Sequence, residues 1–568
     1  MGIIWYNKTN ILVLGKDDKM YIPNCFQQIS FFDSFDELPD YLKKYLLKSW
    51  AHTFQETIFP EINEDRFAVL YSDKPSRPNS YVNVIIGALI IKELYDLNDE
   101  QLVASIHMNL EFQYALRLTS EERPPVSINT FTNFRNRVTD YYEETGQDLI
   151  QQEVESLADL IAEELEIEEE MARIDSFMVA SACRSLTRIE LVYKVNENFI
   201  KMLNKTSPHL IPEKLEAYLS DEHENEVIYQ TKNSEAETKL EKLLDQAKEL
   251  YDIALKAGSP VTDSEEFQLL KRMLEEQTKD DDDFDNIEPK EGKDISPESL
   301  QNPSDPDATY RYKYDDNTGY VGNVVEYFDG DNSVIITYDL KPNIYSDQKF
   351  SEDAIEKLAS DNDVKEDINP DSDDDQEAEE DPDFLKLLMD GTYFSFDLSE
   401  KASSLGIEFI PGELTGRKPA QDKMTFYENF ELDDSREEIT VCAAGREPDY
   451  QENKDNGNYY VTFDKSVCEN CGLLDECRIN LRQNHGSVSF SEQDYESGRL
   501  RKRMGTKEYN KLTNLRAGIE GIPSVLRRTY DIDNMPVMGF VRQKLFFSFK
   551  IAAMNFKKLL KGNKPALT

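Results

Sequence analysis

Histidine and cysteine are scarce in this chain, with five and six copies in 568 residues. The histidines, His52, His107, His209, His223 and His485, are scattered, which gives no sign of a His-based nuclease or hydrolase and turns attention to metal-carboxylate chemistry. Six cysteines are too few for a disulfide scaffold in so long a chain, so reduced thiols or metal ligands are expected. Long apolar runs are missing too: the best, Val84–Ile91, falls far short of the roughly 18 to 20 residues that cross a bilayer. The opening Met1-Gly-Ile-Ile-Trp-Tyr6 has neither the basic region nor the apolar core of a signal peptide, and Tyr6 breaks the myristoylation pattern. A cytoplasmic protein with no membrane partner is expected. Positive charge is short as well, 64 Lys and Arg against 112 Asp and Glu for a net charge of −48. A DNA-binding protein draws much of its affinity from cationic contacts to phosphate, so the distribution of that charge has to decide.

What is present is a set of apolar runs, each with a single acid. Met171-Ala-Arg-Ile-Asp-Ser-Phe-Met-Val-Ala-Ser181 carries Asp175 in its middle, and a carboxylate inside a buried strand needs a partner, most often a divalent cation. Phe384–Tyr393 ends its apolar run with Asp390, followed by Gly391, whose freedom at positive φ suits a sharp turn. Asn514–Arg528 sets Glu520 among basic residues on a helix start or helical turn. Once together, these three acids can hold two Mg2+ (or Mn2+) ions ~4 Å apart, one activating the attacking oxygen of a phosphodiester and one stabilising the leaving oxygen.

Between Asp390 and Glu520 lies a second donor set: Cys442, a gap of about 25 residues, Cys468-Glu-Asn-Cys471, and Cys477. Four thiolates make a closed tetrahedral zinc site, so one structural Zn2+ is expected there, stapling a β-rich insertion. A redox C-x-x-C fits less well, because no thioredoxin-like βαβ pattern surrounds it.

Along the chain, Val82–Tyr95 reads as a helix, and Asn98 as an N-cap with Gln101 three residues on begins a second that leads to Leu116. Ser127–Val138 comes next, with Phe131, Phe134 and Val138 on one face and Arg135 and Arg137 offset. These three helices admit a helix-turn-helix DNA reader as well as a plain helical bundle. Asp140–Glu170 reads as one amphipathic helix, Glu235–Ala257 as another. Lys279–Asp285 and the Pro-, Ser- and Asp-rich stretch to Pro306 read as a disordered linker, since so charged a run buries little apolar surface. Tyr320–Phe328, the turn Asp329–Asn332 and Ser333–Asp339 predict a hairpin, Ser399–Leu405 a short helix and Gly406–Pro411 a strand.

Ile174-Asp175-Ser176, Met389-Asp390-Gly391-Thr392-Tyr393 with Leu414-Thr415-Gly416-Arg417, and Arg516-Ala-Gly-Ile-Glu520-Gly with Ala552-Ala-Met-Asn-Phe-Lys557 together resemble the DDE transposases of bacterial insertion sequences. Tyr71–Arg137 is similar to the helical N-terminal domain of that family. The resemblance implies an α/β protein with a ribonuclease H-like mixed sheet, which the order of predicted elements also fits. It implies cleavage by water at transposon ends, then attack of the freed 3′-hydroxyl on target DNA. Asp175, Asp390 and Glu520 would be catalytic, and double-stranded DNA, both terminal inverted repeats and target, the partner. Holding two DNA ends predicts a homodimer on DNA. The expected units are a helical DNA-binding domain at 1–150, core at 151–200, an acidic helical insertion with linker at 201–303, core strands at 304–420 with an acidic loop at 361–383, the zinc insertion at 421–505 and a basic C-terminal core part at 506–568.

From residue 478 onward eighteen basic residues face seven acids, so the acidity is regional. Arg501, Lys502, Arg503, Arg516, Arg527 and Arg528, with Arg135 and Arg137 upstream, are the expected DNA contacts. The segment Asn534-Met-Pro-Val-Met538 departs from the family in carrying no cation. Two other readings remain open: a catalytically inactive, transposase-derived DNA- or protein-binding protein, and an acidic protein that mimics DNA through its Asp-rich segments.

Overall fold

A computed structural model describes residues 21, 23–24, 35–71, 79–119, 126–229, 235–279, 284, 287–313, 315–366, 384–415, 427–433, 438–454 and 458–562. The acidic run 367–383, most of Lys279–Asp285, and Gly416-Arg417 lie outside the described residues. In chain order the longer helices are α1 (Val82–Leu94), α2 (Asp99–Met108), α3 (Ile128–Thr145), α4 (Leu149–Glu164), α5 (Arg188–Thr206), α6 (Ala236–Ala257) and α7 (Glu265–Gln277). They continue with α8 (Asp347–Glu366), α9 (Phe396–Ser404), α10 (Glu492–Met504), α11 (Lys507–Arg516), α12 (Gly521–Tyr530) and α13 (Phe540–Gly562). The strands are β1 (Met171–Ala180), β2 (Thr309–Lys313), β3 (Asp315–Asp329), β4 (Asn332–Pro342), β5 (Leu385–Met389), β6 (Ile407–Pro411), β7 (Glu431–Leu432), β8 (Ile439–Val441), β9 (Tyr450–Lys454), β10 (Asn458–Asp464), β11 (Asn480–Leu481) and β12 (His485–Ser491).

The chain divides into two units, one of residues 1–169, 176–346 and 521–568, the other of 170–175 and 347–520. β1 runs through both. The main sheet has the order β2-β3-β1-β5-β6 with β4 also paired to β3. β2, β3 and β4 are antiparallel to one another, while β1, β5 and β6 run parallel. This is the mixed α/β sheet, with a helical N-terminal region, that the sequence predicts.

In the first unit α1 is buried from Val82 to Glu93. It is a core helix, so it is not the surface member of a helix-turn-helix. Its free N–H groups are met from outside the helix: Glu64 Oε1 accepts from Val82 N at 2.9 Å and Asn83 N at 3.1 Å. α13 is buried from Gln543 to Asn555 and packs against α1, α4 and β4. Its lysines turn inward. Lys550 Nζ lies 2.7 Å from Glu93, Lys544 Nζ 3.2 Å from Asp339 and 3.3 Å from Asp148, and Lys558 pairs with Glu326.

Several local expectations hold. The capping box Asn98–Gln101 opens α2, and Phe131, Phe134 and Val138 form the buried face of α3. The hairpin β3–β4 closes with Asp329 opposite Asn332. Three expectations do not hold. The helix from Asn98 stops at Met108 and a new one begins at Leu110, because Asn109 caps it through Glu111 N. Asp140–Glu170 is two helices, broken where Gly146 takes a left-handed φ of 74°. Residues 287–306, expected within a disordered linker, are irregular and partly exposed but tied down by side-chain hydrogen bonds. Arg188 donates to the carbonyls of Lys290 and Gln277, each at 2.8 Å, and Arg272 to those of Pro306 at 2.8 Å and Glu298 at 3.0 Å. Asp305, fully buried, accepts from Tyr320 Oη at 2.6 Å, from Gln543 Nε2 at 3.2 Å and from Ser181. Side-chain donors thus replace the apolar burial that the composition lacks. α5, α6 and α7 build a separate core around Tyr193, Phe199, Leu243, Leu250 and Leu270.

In the second unit, β9, β10, β11 and β12 form a sheet in the order β11-β12-β10-β9, with Phe430, Val461, Phe463, Val488 and Phe490 as its core. Among the described residues no helix is long and apolar enough to cross a membrane.

Burial alone would lower the Lys544 ammonium, but the Asp339 and Asp148 carboxylates outweigh it and hold it up at about 12. Lys544→Met is expected to cost about 3 kcal/mol in denaturant unfolding at pH 7, because it leaves Asp148 without its cation. The folded value lies above the ordinary 10.5, so the wild-type advantage is complete below pH 10.5 and vanishes as pH rises through 12.

Candidate active site at the ends of the parallel strands

The register of β1 on β5 pairs Met171 with Lys386, Ala172 with Leu387 and Arg173 with Leu388. Counted on by two residues, it sets Asp175 level with Asp390, one residue past the end of β5. Residues level across parallel strands point to the same face, so that register, if continued, would put the two carboxylates on one edge. Asp175 is half-buried rather than enclosed, because the inward positions of β1 are Ala172, Ile174, Phe177 and Val179. Asp390 is also half-buried, and its Oδ1 accepts from Gly391 N at 2.7 Å.

Gly391 does not adopt a positive φ. It is glycine for want of space, since a Cβ there would lie 2.3 Å from the Glu413 carbonyl oxygen. That contact draws the chain after β6 against the turn after β5, and Gly412 N donates to Met389 O at 2.9 Å.

Glu520 closes the 3-10 turn Ala517–Glu520 between α11 and α12. It is exposed and paired with Arg516 at 3.0 Å. Arg516 in turn reaches the strand ends: a Cβ on Gly412 would meet Arg516 Nε at 3.8 Å and the Met389 carbonyl oxygen at 3.7 Å. Tyr509 anchors α11 by donating to Pro411 O at 2.8 Å, with burial pushing its phenol up to about 12. All three acids thus belong to one unit. Among the described residues, however, no three His, Cys, Asp or Glu side chains are grouped closely enough to hold a metal ion.

The four clustered cysteines line one cavity of about 40 Å³ with Phe430, Phe463 and Leu473. Burial first, then Cys477, Cys442 and Cys471, push the Cys468 thiol up to about 11. Cys183 lies in the other unit.

The basic residues divide. Arg135 forms an ion pair with Asp99 and stacks on Phe546 at 5.6 Å, and Arg137 lies over Tyr71 at 4.8 Å. Arg503 pairs with Glu408 at 2.5 Å, and Lys502 donates to Asn429 at 3.2 Å. Arg527 pairs with Asp533 at 3.0 Å and donates to Met178 O at 2.7 Å. The side chains of Arg501 and Arg528 have no hydrogen-bond or ion-pair partner among the described residues.

Two family models match the chain: Transposase domain (DUF772) over residues 48–137, and Transposase DDE domain over residues 441–560. Both matches indicate a DDE transposase of insertion-sequence type. No curated protein and no solved structure matches it. Of the three acids expected to be catalytic, only Glu520 falls inside the DDE match, which also spans the cysteine cluster; Asp175 and Asp390 lie upstream of it. α13, in the DDE match, packs on α1, in the other, so the two matched segments meet inside the first unit. Sequence reasoning missed Arg173, whose only local signal is its place two residues before Asp175.

Gly391→Ala is expected to lower stability by about 1 to 3 kcal/mol, because the added carbon meets backbone that cannot step aside. Gly412→Ala, with its nearest contact at 3.7 Å, should be tolerated; thermal unfolding of the two variants tests the contrast.

Proposed function

We propose that this transposase cleaves DNA at the ends of its element and joins the freed 3′-hydroxyl to target DNA, with Asp175, Asp390 and Glu520 as the catalytic carboxylates. The observation that carries this reading is the parallel register of β1 on β5, which, continued two residues beyond its last pair, brings Asp175 level with Asp390. Two like charges side by side repel unless a cation lies between them, and their oxygen donors suit Mg2+ or Mn2+. Glu520 would complete the donor set by turning from Arg516, an exposed pair of the kind that holds weakly. When bound, two such ions would activate the attacking oxygen and stabilise the leaving one.

The chain's own residues supply the rest. Arg516, beside the strand ends, is aimed to take a DNA phosphate as Glu520 leaves it. Arg501 and Arg528 are uncommitted cations for the DNA backbone, with Lys502, Arg503, Arg527, Arg135 and Arg137 able to join after exchanging a partner. The partners are the terminal inverted repeats and target DNA, held by a homodimer. Cys442, Cys468, Cys471 and Cys477 line one small cavity and are the donor type Zn2+ prefers; to bind one structural Zn2+ they would have to draw together, since no three of them are grouped closely enough to hold a metal as placed.

The test is Mg2+- or Mn2+-dependent cleavage of DNA carrying the element's ends. Wild-type activity that Asp175→Ala, Asp390→Ala and Glu520→Ala each reduce at least ~100-fold, with folding unchanged, is the expected result. DNA binding without cleavage, equal in all four proteins, would instead favour an inactive binding protein. Elemental analysis should find one zinc per chain, lost in Cys468→Ser together with thermal stability.

A further inference from the structure

We infer that Arg173 is the positioning residue for Glu520, fastening the turn that bears it to the strand that bears Asp175. The inference rests on the three-carboxylate reading. Arg173 and Asp175 stand two residues apart on β1 and so project from the same face. Arg173 Nη1 donates to Leu515 O at 2.9 Å. That carbonyl is among the last of α11, where it also accepts from Ala517 N and where a cation meets the negative end of the dipole.

The next turn is shaped around the same guanidinium. A Cβ on Gly518 would fall 2.0 Å from Nη1, 2.6 Å from Cζ and 2.8 Å from Nη2. Only glycine lets the turn Ala517–Glu520 close this tightly on Arg173. Ile519, in the same turn, is fully buried. Glu520 cannot set its own position: its partner Arg516 is four residues back in the same segment, so their pair travels with the turn. Arg173 belongs to β1 and does not. The rigid, forked guanidinium suits this double task, a bond to a carbonyl and a flat face for Gly518; a lysine ammonium keeps the charge but not the face.

The experiment compares the Mn2+ concentration for half-maximal end cleavage, and Mn2+ binding without DNA, in full-length wild type, Arg173→Ala, Arg173→Lys, Gly518→Ala and the double variant Arg173→Ala/Gly518→Ala. Arg173→Ala and Gly518→Ala should each raise the Mn2+ requirement about tenfold, the usual scale for a group that orients a metal ligand, while DNA affinity stays put. Arg173→Lys should fall between. In the double variant the collision at position 518 is gone, so it should be no worse than Arg173→Ala. A Mn2+ requirement within about twofold of wild type in Arg173→Ala, or effects that multiply in the double variant, would overturn the inference. If Arg173→Ala does not fold, an unmoved requirement in Gly518→Ala overturns it equally. Cleavage that survives Asp175→Ala and Asp390→Ala would instead remove the site reading beneath it, a separate outcome.

Discussion

The parallel pairing of β1 with β5 is the constraint on which the candidate site depends. Three residue pairs fix the register, and because side chains alternate along a strand, a slip of one residue would send Asp175 to the opposite face from Asp390. The apolar positions Ala172, Ile174, Leu387, Leu388 and Met389 hold that register by burial. Beyond the end of β5 the path of the chain is dictated by close approach: Gly391 under the Glu413 carbonyl, and Gly412 beside Arg516. The backbone around Asp390 has little slack.

Charge is spent differently from what its sequence distribution suggests. A C-terminal stretch rich in lysine and arginine invites a reading as a phosphate-binding surface. Yet α13 sends Lys544, Lys550 and Lys558 inward, to carboxylates carried by α1, β3, β4 and the residue before α4. Buried ions of this kind cost desolvation on both sides and persist because each is paired and hydrogen-bonded. Of the cations expected to contact DNA, Arg501 and Arg528 are the ones whose side chains have no partner among the described residues, and a net charge of −48 makes placement matter more than number.

Local patterns were legible where a few neighbouring residues settle the outcome. Asn98 and Gln101 cap a helix whatever surrounds them, the Asp329–Asn332 turn closes its own hairpin, and the spacing of Phe131, Phe134 and Val138 gives a buried face. Composition misled where polar groups substitute for apolar burial: residues 287–306 look unable to pack, but Arg188 and Arg272, from helices up to about a hundred positions away, satisfy their carbonyls. Gly391 was legible as a necessary glycine, though for the wrong cause, since the obstacle is a carbonyl from the chain beyond β6.

By itself the sequence indicated the family, the strand around Asp175, the apolar run ending at Asp390, the turn bearing Glu520 and the cysteine spacing, because each is a matter of residue type at short range. Only the tertiary structure decided which charges are free and what holds Glu520 near the strands. Leu515 and Gly518 lie more than three hundred positions from Arg173, and no local pattern records a contact made across that distance. A side chain's partner is chosen by the packing of backbones that the chain brings together only after it has folded.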